Sequence, residues 1–106
     1  MFTAATPRDE VTWTIERNGA LPRPHAGTLL IDHCYQDWRD VPPRIHVPTL
    51  VIGAEASLFP PTGIKWVASQ IPGAEVRIFS AEERGSHFVF WENPVAFNET
   101  VRKFLG

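Results

Sequence analysis

The chain has 106 residues, 43% of them hydrophobic and 21% charged, and a formal charge of -2 at pH 7. These values fit one small globular domain, and the weak negative charge gives no electrostatic reason to expect nucleic acid or an anionic membrane as a partner. The single cysteine, Cys34, cannot form an internal disulfide. The first residues lack the features of a secretory leader, and no apolar stretch has membrane-spanning length. We therefore expect a cytoplasmic protein.

The first 43 residues predict helices. A proline followed by two acids predicts a helix start and an Asn-Gly pair predicts its end, which gives a helix over roughly 7–18. Residues 21–41, LPRPHAGTLLIDHCYQDWRDV, have a less regular apolar spacing that we also interpret as helix. Pro42 and Pro43 should end it, because proline removes a backbone donor and clashes with the preceding turn.

The second half predicts two parallel strands joined by a helix. The apolar run Thr49–Ile52, closed by Gly53, is typical of a strand buried on both faces of a parallel sheet. The segment PPTGIKWVASQ has apolar residues at helical spacing before a Pro-Gly stop, and residues 75–79 form the second predicted strand. A strand, a helix and a strand of these lengths predict a βαβ unit with a right-handed crossover.

The last segment predicts a closing amphipathic helix. Asn93 and Pro94 supply a capping side chain and a proline at the first helical position, and Gly106 follows the last turn. We therefore predict an α/β fold in two parts, a helical segment at 1–43 and a βαβα unit at 44–106. Two parallel strands of this apolar type are too few for a sheet, since such strands need neighbours on both sides.

Three stretches of the chain resemble the C-terminal part of α/β-hydrolase-fold proteins. They are DWRDVPPRIHVPTLVIGAEASLFPP, IPGAEVRIFS and GSHFVFWENPVAFNETVRKFL, in the family's order. They are most similar to serine hydrolases of the non-heme chloroperoxidase and esterase type. The resemblance implies that residues 1–43 are the end of a lid and that 44–106 are the last part of the core. It also implies a small-molecule acyl substrate, such as an ester or lactone, and no cofactor or metal.

His87 occupies the place of the family's general base. It follows Gly85 and Ser86 on the loop after the second predicted strand. The resemblance implies that its imidazole takes a proton from a nucleophile at the carboxyl ends of the strands and returns that proton to the leaving group. The plain alternative is a loop histidine that only packs or caps.

The resemblance also implies a carboxylate that orients this histidine. In the family an aspartate stands three residues after the glycine that ends the earlier strand, and here that position is Ala56. Glu55, one residue earlier, has a longer side chain that can reach the imidazole, and we predict it as the acid. An exposed loop glutamate is the alternative. Asp37 and Asp40 are interpreted as surface or capping carboxylates.

No nucleophile of the hydrolase kind is present in the chain. The elbow G-x-S-x-G does not occur, and no serine stands in such a turn: Ser57, Ser69, Ser80 and Ser86. Cys34 lies in a helix-like segment without a glycine turn and is no substitute. The adjacent Asp32 and His33 do not share a helix face with it, so we predict no metal site there.

Two hypotheses from different classes of protein follow. The first is the C-terminal part of a serine hydrolase, with His87 as base and Glu55 as acid, that is inactive alone because an N-terminal part carries the nucleophile. The second is a non-catalytic fragment that binds a partner, or a second copy of itself, through its exposed sheet edge. Because the strand at 49–53 lacks a neighbour, we expect a homodimer unless the N-terminal part fills the gap.

Overall fold

A computed structural model describes residues 1–106 and shows a mixed α/β architecture. In chain order the elements are α1 (Arg8–Gly19), α2 (Arg23–Tyr35), a 3-10 turn (Pro42–Arg44), β1 (Leu50–Ala54), α3 (Pro61–Gln70), β2 (Glu75–Phe79), α4 (Val89–Glu92) and α5 (Pro94–Leu105). The α/β class that the sequence predicts is confirmed. None of the helices has the length and apolar character needed to cross a bilayer.

The sheet consists of β1 and β2, which run parallel and are joined through α3. This arrangement confirms the predicted βαβ unit. One face of the sheet packs closely against α3 at Gly53, where a Cβ atom would lie 2.8 Å from two side-chain carbons of Ile64 and 2.9 Å from Ile78 Cδ1. Glycine therefore permits the close approach of helix and sheet.

The opposite face of the sheet carries the small core. Ala54, Phe79 and Val89 are buried together there, on β1, β2 and α4. The partly buried residues packed around them come from β1 and α5: Ile52, Ala96 and Phe97. Because side chains alternate between the faces of a strand, this core and the α3 contact lie on opposite sides of the sheet. The βαβα part thus forms three thin layers.

The closing helix α5 has the predicted start and end. The Asn93 side chain accepts a hydrogen bond of 3.3 Å from the Ala96 N–H, and Pro94 stands at the first helical position. Gly106 follows the helix with φ 83°, a left-handed conformation that glycine adopts without steric cost. Local capping chemistry therefore fixes the start of α5.

The first strand differs from the prediction in extent and burial. β1 continues to Ala54, so Gly53 lies inside the strand rather than closing it. Four of its five residues are half-buried, whereas the sequence predicts burial on both faces. The physical reason is that only β2 pairs with β1, which leaves the other edge and part of both faces exposed.

The second helix ends earlier than predicted. α2 stops at Tyr35, and Gln36 is extended (φ -75°, ψ 136°), well before the prolines at 42 and 43. Asp37 explains the stop, because its Oδ1 accepts the Arg39 N–H at 3.1 Å and so forms a local turn that competes with the helix. The two prolines instead begin the 3-10 turn.

The chain exposes more surface than a compact monomer of its size. Its accessible area is 7933 Å². A monomer of 11.9 kDa is expected to expose about 5,900 Å², so the excess is about 2,000 Å². Much of the first half contributes, since α2 buries none of its residues and α1 buries only Thr14.

Candidate functional site

The loops that follow the two strands are joined by backbone hydrogen bonds. The Ala56 N–H, on the loop after β1, donates to Gly85 O, on the loop after β2, at 2.8 Å. Within the second loop the Gly85 N–H donates to Ser80 O, also at 2.8 Å. Ala56 and Ser86 form an isolated parallel bridge beyond the sheet. The residues that follow this bridge on the two loops are therefore neighbours at the carboxyl edge of the sheet.

Those two neighbours are a serine and the predicted base. Ser57 Oγ and His87 Nδ1 are hydrogen-bonded at 3.0 Å. The Phe59 N–H donates to the same Ser57 oxygen at 3.3 Å, and the Ser57 N–H donates to Ala54 O at 3.3 Å. The serine is thus held at the end of β1 with its hydroxyl directed at the imidazole.

The imidazole lies among aromatic rings at the mouth of a small apolar cavity. The ring centroids of Phe59 and Phe88 are 5.7 Å and 5.4 Å from that of His87. The cavity has a volume of about 150 Å³ and is lined largely by aliphatic and aromatic side chains, with the Ser57 and His87 side chains as polar groups together with the buried Ser86. A polar pair converging on an apolar cavity is the usual form of a small-molecule site.

The structure does not bring Glu55, the predicted acid, onto the imidazole. Its carboxylate accepts the Ala81 N–H at 2.9 Å, and no hydrogen bond or ion pair joins it to His87. Counting three positions from Ala54, where β1 ends, gives Ser57 instead of Ala56. The sequence reasoning missed Ser57 because it placed the end of the strand one residue too early, at Gly53.

The other two carboxylates considered from the sequence form local pairs on the surface. Asp37 contacts Arg39 at 2.6 Å and Asp40 contacts Arg44 at 2.9 Å. The side-chain hydrogen bond from Arg39, followed by its backbone N–H, lowers the pKa of Asp37 to about 2. Neither carboxylate is joined to His87, so they remain capping and surface groups.

Residues 1–6 cross the loop that carries His87, and we call this segment the strap. The Met1 carbonyl accepts the His87 N–H at 2.9 Å. The Phe2 ring stacks on Phe88, the next residue along the loop, with centroids 4.8 Å apart. The strap therefore holds both the backbone of His87 and the aromatic side chain beside it.

Glu92 anchors the strap from α4. Glu92 is 8% exposed, and its carboxylate accepts the Thr3 N–H at 3.2 Å, the Thr3 hydroxyl at 2.6 Å and the Thr6 hydroxyl. Burial acts to raise the pKa of Glu92, but hydrogen bonds from Ser86, Thr3 and Thr6 outweigh it and hold the pKa below its ordinary value of 4.5. The ionised carboxylate is thus stabilised by neutral donors.

Replacing Glu92 by glutamine is expected to lower the free energy of unfolding by about 1–3 kcal/mol at neutral pH, because the amide offers one acceptor oxygen where the carboxylate offers two. The difference should be complete above pH 4.5 and should shrink as the pH falls through the lowered pKa of Glu92. Denaturant unfolding at several pH values measures it. Glu99→Gln, exposed on α5, is the control; equal stability of the two variants at neutral pH would contradict the anchor.

Asp32, His33 and Cys34 lie on consecutive exposed positions of α2, and no three histidine, cysteine or acidic side chains of the chain converge as metal ligands would.

No protein-family model matches the chain, and no curated protein is significantly similar to it. The geometry at the carboxyl ends of the strands is therefore the basis for a functional proposal.

Proposed function

We propose that the chain is the C-terminal part of a serine hydrolase of the α/β-hydrolase fold, with His87 as its general base. One observation carries the proposal: the imidazole stands at the carboxyl ends of two adjacent parallel strands, oriented through Nδ1 and beside an apolar cavity. Groups that act on ligands in open α/β sheets come from this edge. The resemblance of residues 37–105 to such hydrolases supports the same role.

In this proposal the nucleophile is a serine on a strand-turn-helix elbow in an N-terminal part. Nε2 of the neutral imidazole accepts the proton of that serine as its oxygen forms a bond to the acyl carbon of the substrate. The same proton then passes to the leaving alcohol as the acyl–oxygen bond breaks. A water molecule repeats the sequence and releases the acid, so that His87 ends in its starting state.

The substrate class follows from the cavity beside the imidazole. A volume of about 150 Å³ lined by aliphatic and aromatic groups suits a short acyl group, as in a small ester or lactone. No charged side chain lines this cavity. Neither a cofactor nor a metal takes part, because the base, the nucleophile and water account for every bond that changes.

The proposal is tested with p-nitrophenyl acetate. The chain alone is expected to show no hydrolysis above that of its His87→Ala variant, since a base without a positioned nucleophile contributes little. The coding sequence directly upstream, read in the same frame, should supply G-x-S-x-G and give an active longer chain. There His87→Ala should lower kcat by at least about 10³-fold, whereas His46→Ala, at an exposed position, should not.

Activity of the chain alone that disappears in His87→Ala would contradict the need for a second part. An active longer chain that tolerates His87→Ala would contradict the role of the histidine. Both outcomes are decided by the same assay.

A second candidate function is association through the sheet edge without catalysis. On the side of β1 that faces β2, the Thr49 carbonyl accepts the Glu75 N–H and the Glu55 N–H donates to Phe79 O. The alternate residues Leu50 and Ile52 therefore direct their peptide groups to the unpaired edge of β1. Together with the excess exposed area, this edge favours a chain that binds a second copy of itself or a partner.

A further inference from the structure

The ring of His87 has one hydrogen-bonding partner, the hydroxyl of Ser57, at 3.0 Å from Nδ1. We infer that Ser57 is the positioning residue of the base and takes, with a neutral hydroxyl, the place where the resemblance puts a carboxylate. The inference rests on the proposed function only in treating His87 as a base. The hydrogen bond itself is a property of the fold.

The position of Ser57 is fixed independently of the histidine. Its N–H is bonded to Ala54 O at the end of β1, and its oxygen receives the Phe59 N–H. The hydroxyl therefore reaches the imidazole from a loop position that two hydrogen bonds hold close to the end of β1. Such support from backbone groups is what a group that orients a base requires.

No charged group competes for the imidazole. Glu55 is engaged by the Ala81 N–H and Glu92 by the strap. The rings packed against the histidine belong to Phe59 and Phe88, which are neutral. The group that orients the imidazole in this chain is thus a neutral hydroxyl.

A hydroxyl differs from a carboxylate in what it can impose on the ring. A carboxylate only accepts, so it holds the proton on Nδ1 and leaves Nε2 free to act as the base. A hydroxyl donates or accepts, so it fixes the orientation of the ring without selecting one tautomer. It also supplies no negative charge to stabilise the imidazolium that forms during proton transfer. In this site the imidazole of His87 is therefore held in one orientation, but its protonated form is not stabilised by a neighbouring negative charge.

The same contact does not make Ser57 the nucleophile. In the tautomer with a free Nε2, the Ser57 oxygen accepts both the Nδ1–H and the Phe59 N–H. Both lone pairs of the hydroxyl are then occupied, and none is left to attack a substrate. Ser57 also follows β1 in a loop without the strand-turn-helix elbow of hydrolase nucleophiles.

The test uses Ser57→Asp and Ser57→Ala, with Ser57→Thr as the matched control that keeps the hydroxyl. Nitrogen-15 NMR of His87 in this chain reports the tautomer and the midpoint of the ring titration. Ser57→Asp is expected to move the midpoint up by about one pH unit or more and to enrich the Nδ1–H tautomer, since an adjacent anion favours the imidazolium. Ser57→Ala should alter the Nδ1 resonance and Ser57→Thr should preserve it.

Ser57→Ala keeps the test decisive if the aspartate variant does not fold, because an Nδ1 resonance that is the same with and without the hydroxyl would overturn the inference. An unmoved midpoint in a folded Ser57→Asp chain would overturn it as well. Covalent labelling of Ser57 by a fluorophosphonate would make Ser57 the nucleophile instead and would also overturn it. Because the NMR readout needs no catalysis, a longer chain without esterase activity, found beside the expected shifts, removes the proposed function and leaves the positioning role.

Discussion

Replacing Gly85 by alanine is expected to lower the free energy of unfolding by about 3 kcal/mol or more and to displace the loop that carries His87. A Cβ atom at this position would lie 2.2 Å from Phe79 O and 2.5 Å from Ser80 O. Both atoms are backbone at the end of β2 and are themselves bonded, Phe79 O to the Glu55 N–H and Ser80 O to Gly85. Phe79 O cannot move aside without breaking a hydrogen bond between the two loops, and Ser80 O cannot do so without breaking the turn that carries Gly85.

The control for this substitution is Gly63→Ala in α3. The nearest atom to a Cβ there is Pro60 Cγ at 4.0 Å, so alanine fits and should stabilise the helix by about 0.5–1 kcal/mol. Denaturant unfolding at one fixed protein concentration compares the two variants, and the Ser57–His87 hydrogen bond is followed by NMR. If Gly85→Ala is as stable as the unsubstituted chain and the histidine resonances do not move, Gly85 does not pack closely against the backbone at the end of β2.

The sequence predicts the helices and strands well because their signals are local. The capping of α5 involves Asn93, Pro94 and Gly106, which are close in sequence to the turns that they fix. The helix of the βαβ unit is likewise bounded by prolines and glycines in the sequence. The early end of α2 is one exception, since it depends on a hydrogen bond from the Arg39 N–H to Asp37 that the apolar pattern does not encode. The short helix α4 and the 3-10 turn are others, because no sequence signal predicted them.

The site shows why contacts are harder to predict than elements. The resemblance points to His87, yet the identity of its partner depends on a one-residue difference in where β1 ends. Glu55 is diverted by the Ala81 N–H, a donor freed at the end of β2. The anchoring role of Glu92 depends on the strap, at the opposite end of the sequence. These pairings arise from tertiary packing, which no local pattern records.

The chain is expected to form a homodimer in solution, with an apparent mass of about 24 kDa, twice its 11.9 kDa. The unpaired edge of β1 leaves the peptide groups of Leu50 and Ile52 without partners, and antiparallel pairing of two such edges about a two-fold axis would satisfy them in a four-stranded sheet. The excess area of about 2,000 Å² per chain is more than the roughly 800 Å² that each partner of a standard interface buries.

Helix α2 provides the substitution that tests this dimer. Leu29, Leu30 and Ile31 are 60% to 63% exposed on consecutive positions, so they cover more than half of the circumference of the helix with apolar surface. We expect this apolar surface to lie at the dimer interface together with the edge of β1. Leu30→Arg should then raise the dimer dissociation constant at least about tenfold, because it would place an unpaired charge in an apolar interface. Thr28→Arg makes the same change of charge on the opposite side of α2 and should leave the dimer intact.

Light scattering and sedimentation at micromolar concentration distinguish the outcomes. A single species of about 12 kDa that unfolds cooperatively would show that the exposed edge needs no partner, and equal effects of the two arginine variants would remove α2 from the interface. A longer chain that contributes its own strand beside β1 should instead be monomeric, and Leu30→Arg should not change its oligomeric state. Self-association and completion of the sheet from within one chain are alternative ways of satisfying the same peptide groups, so the two should exclude each other.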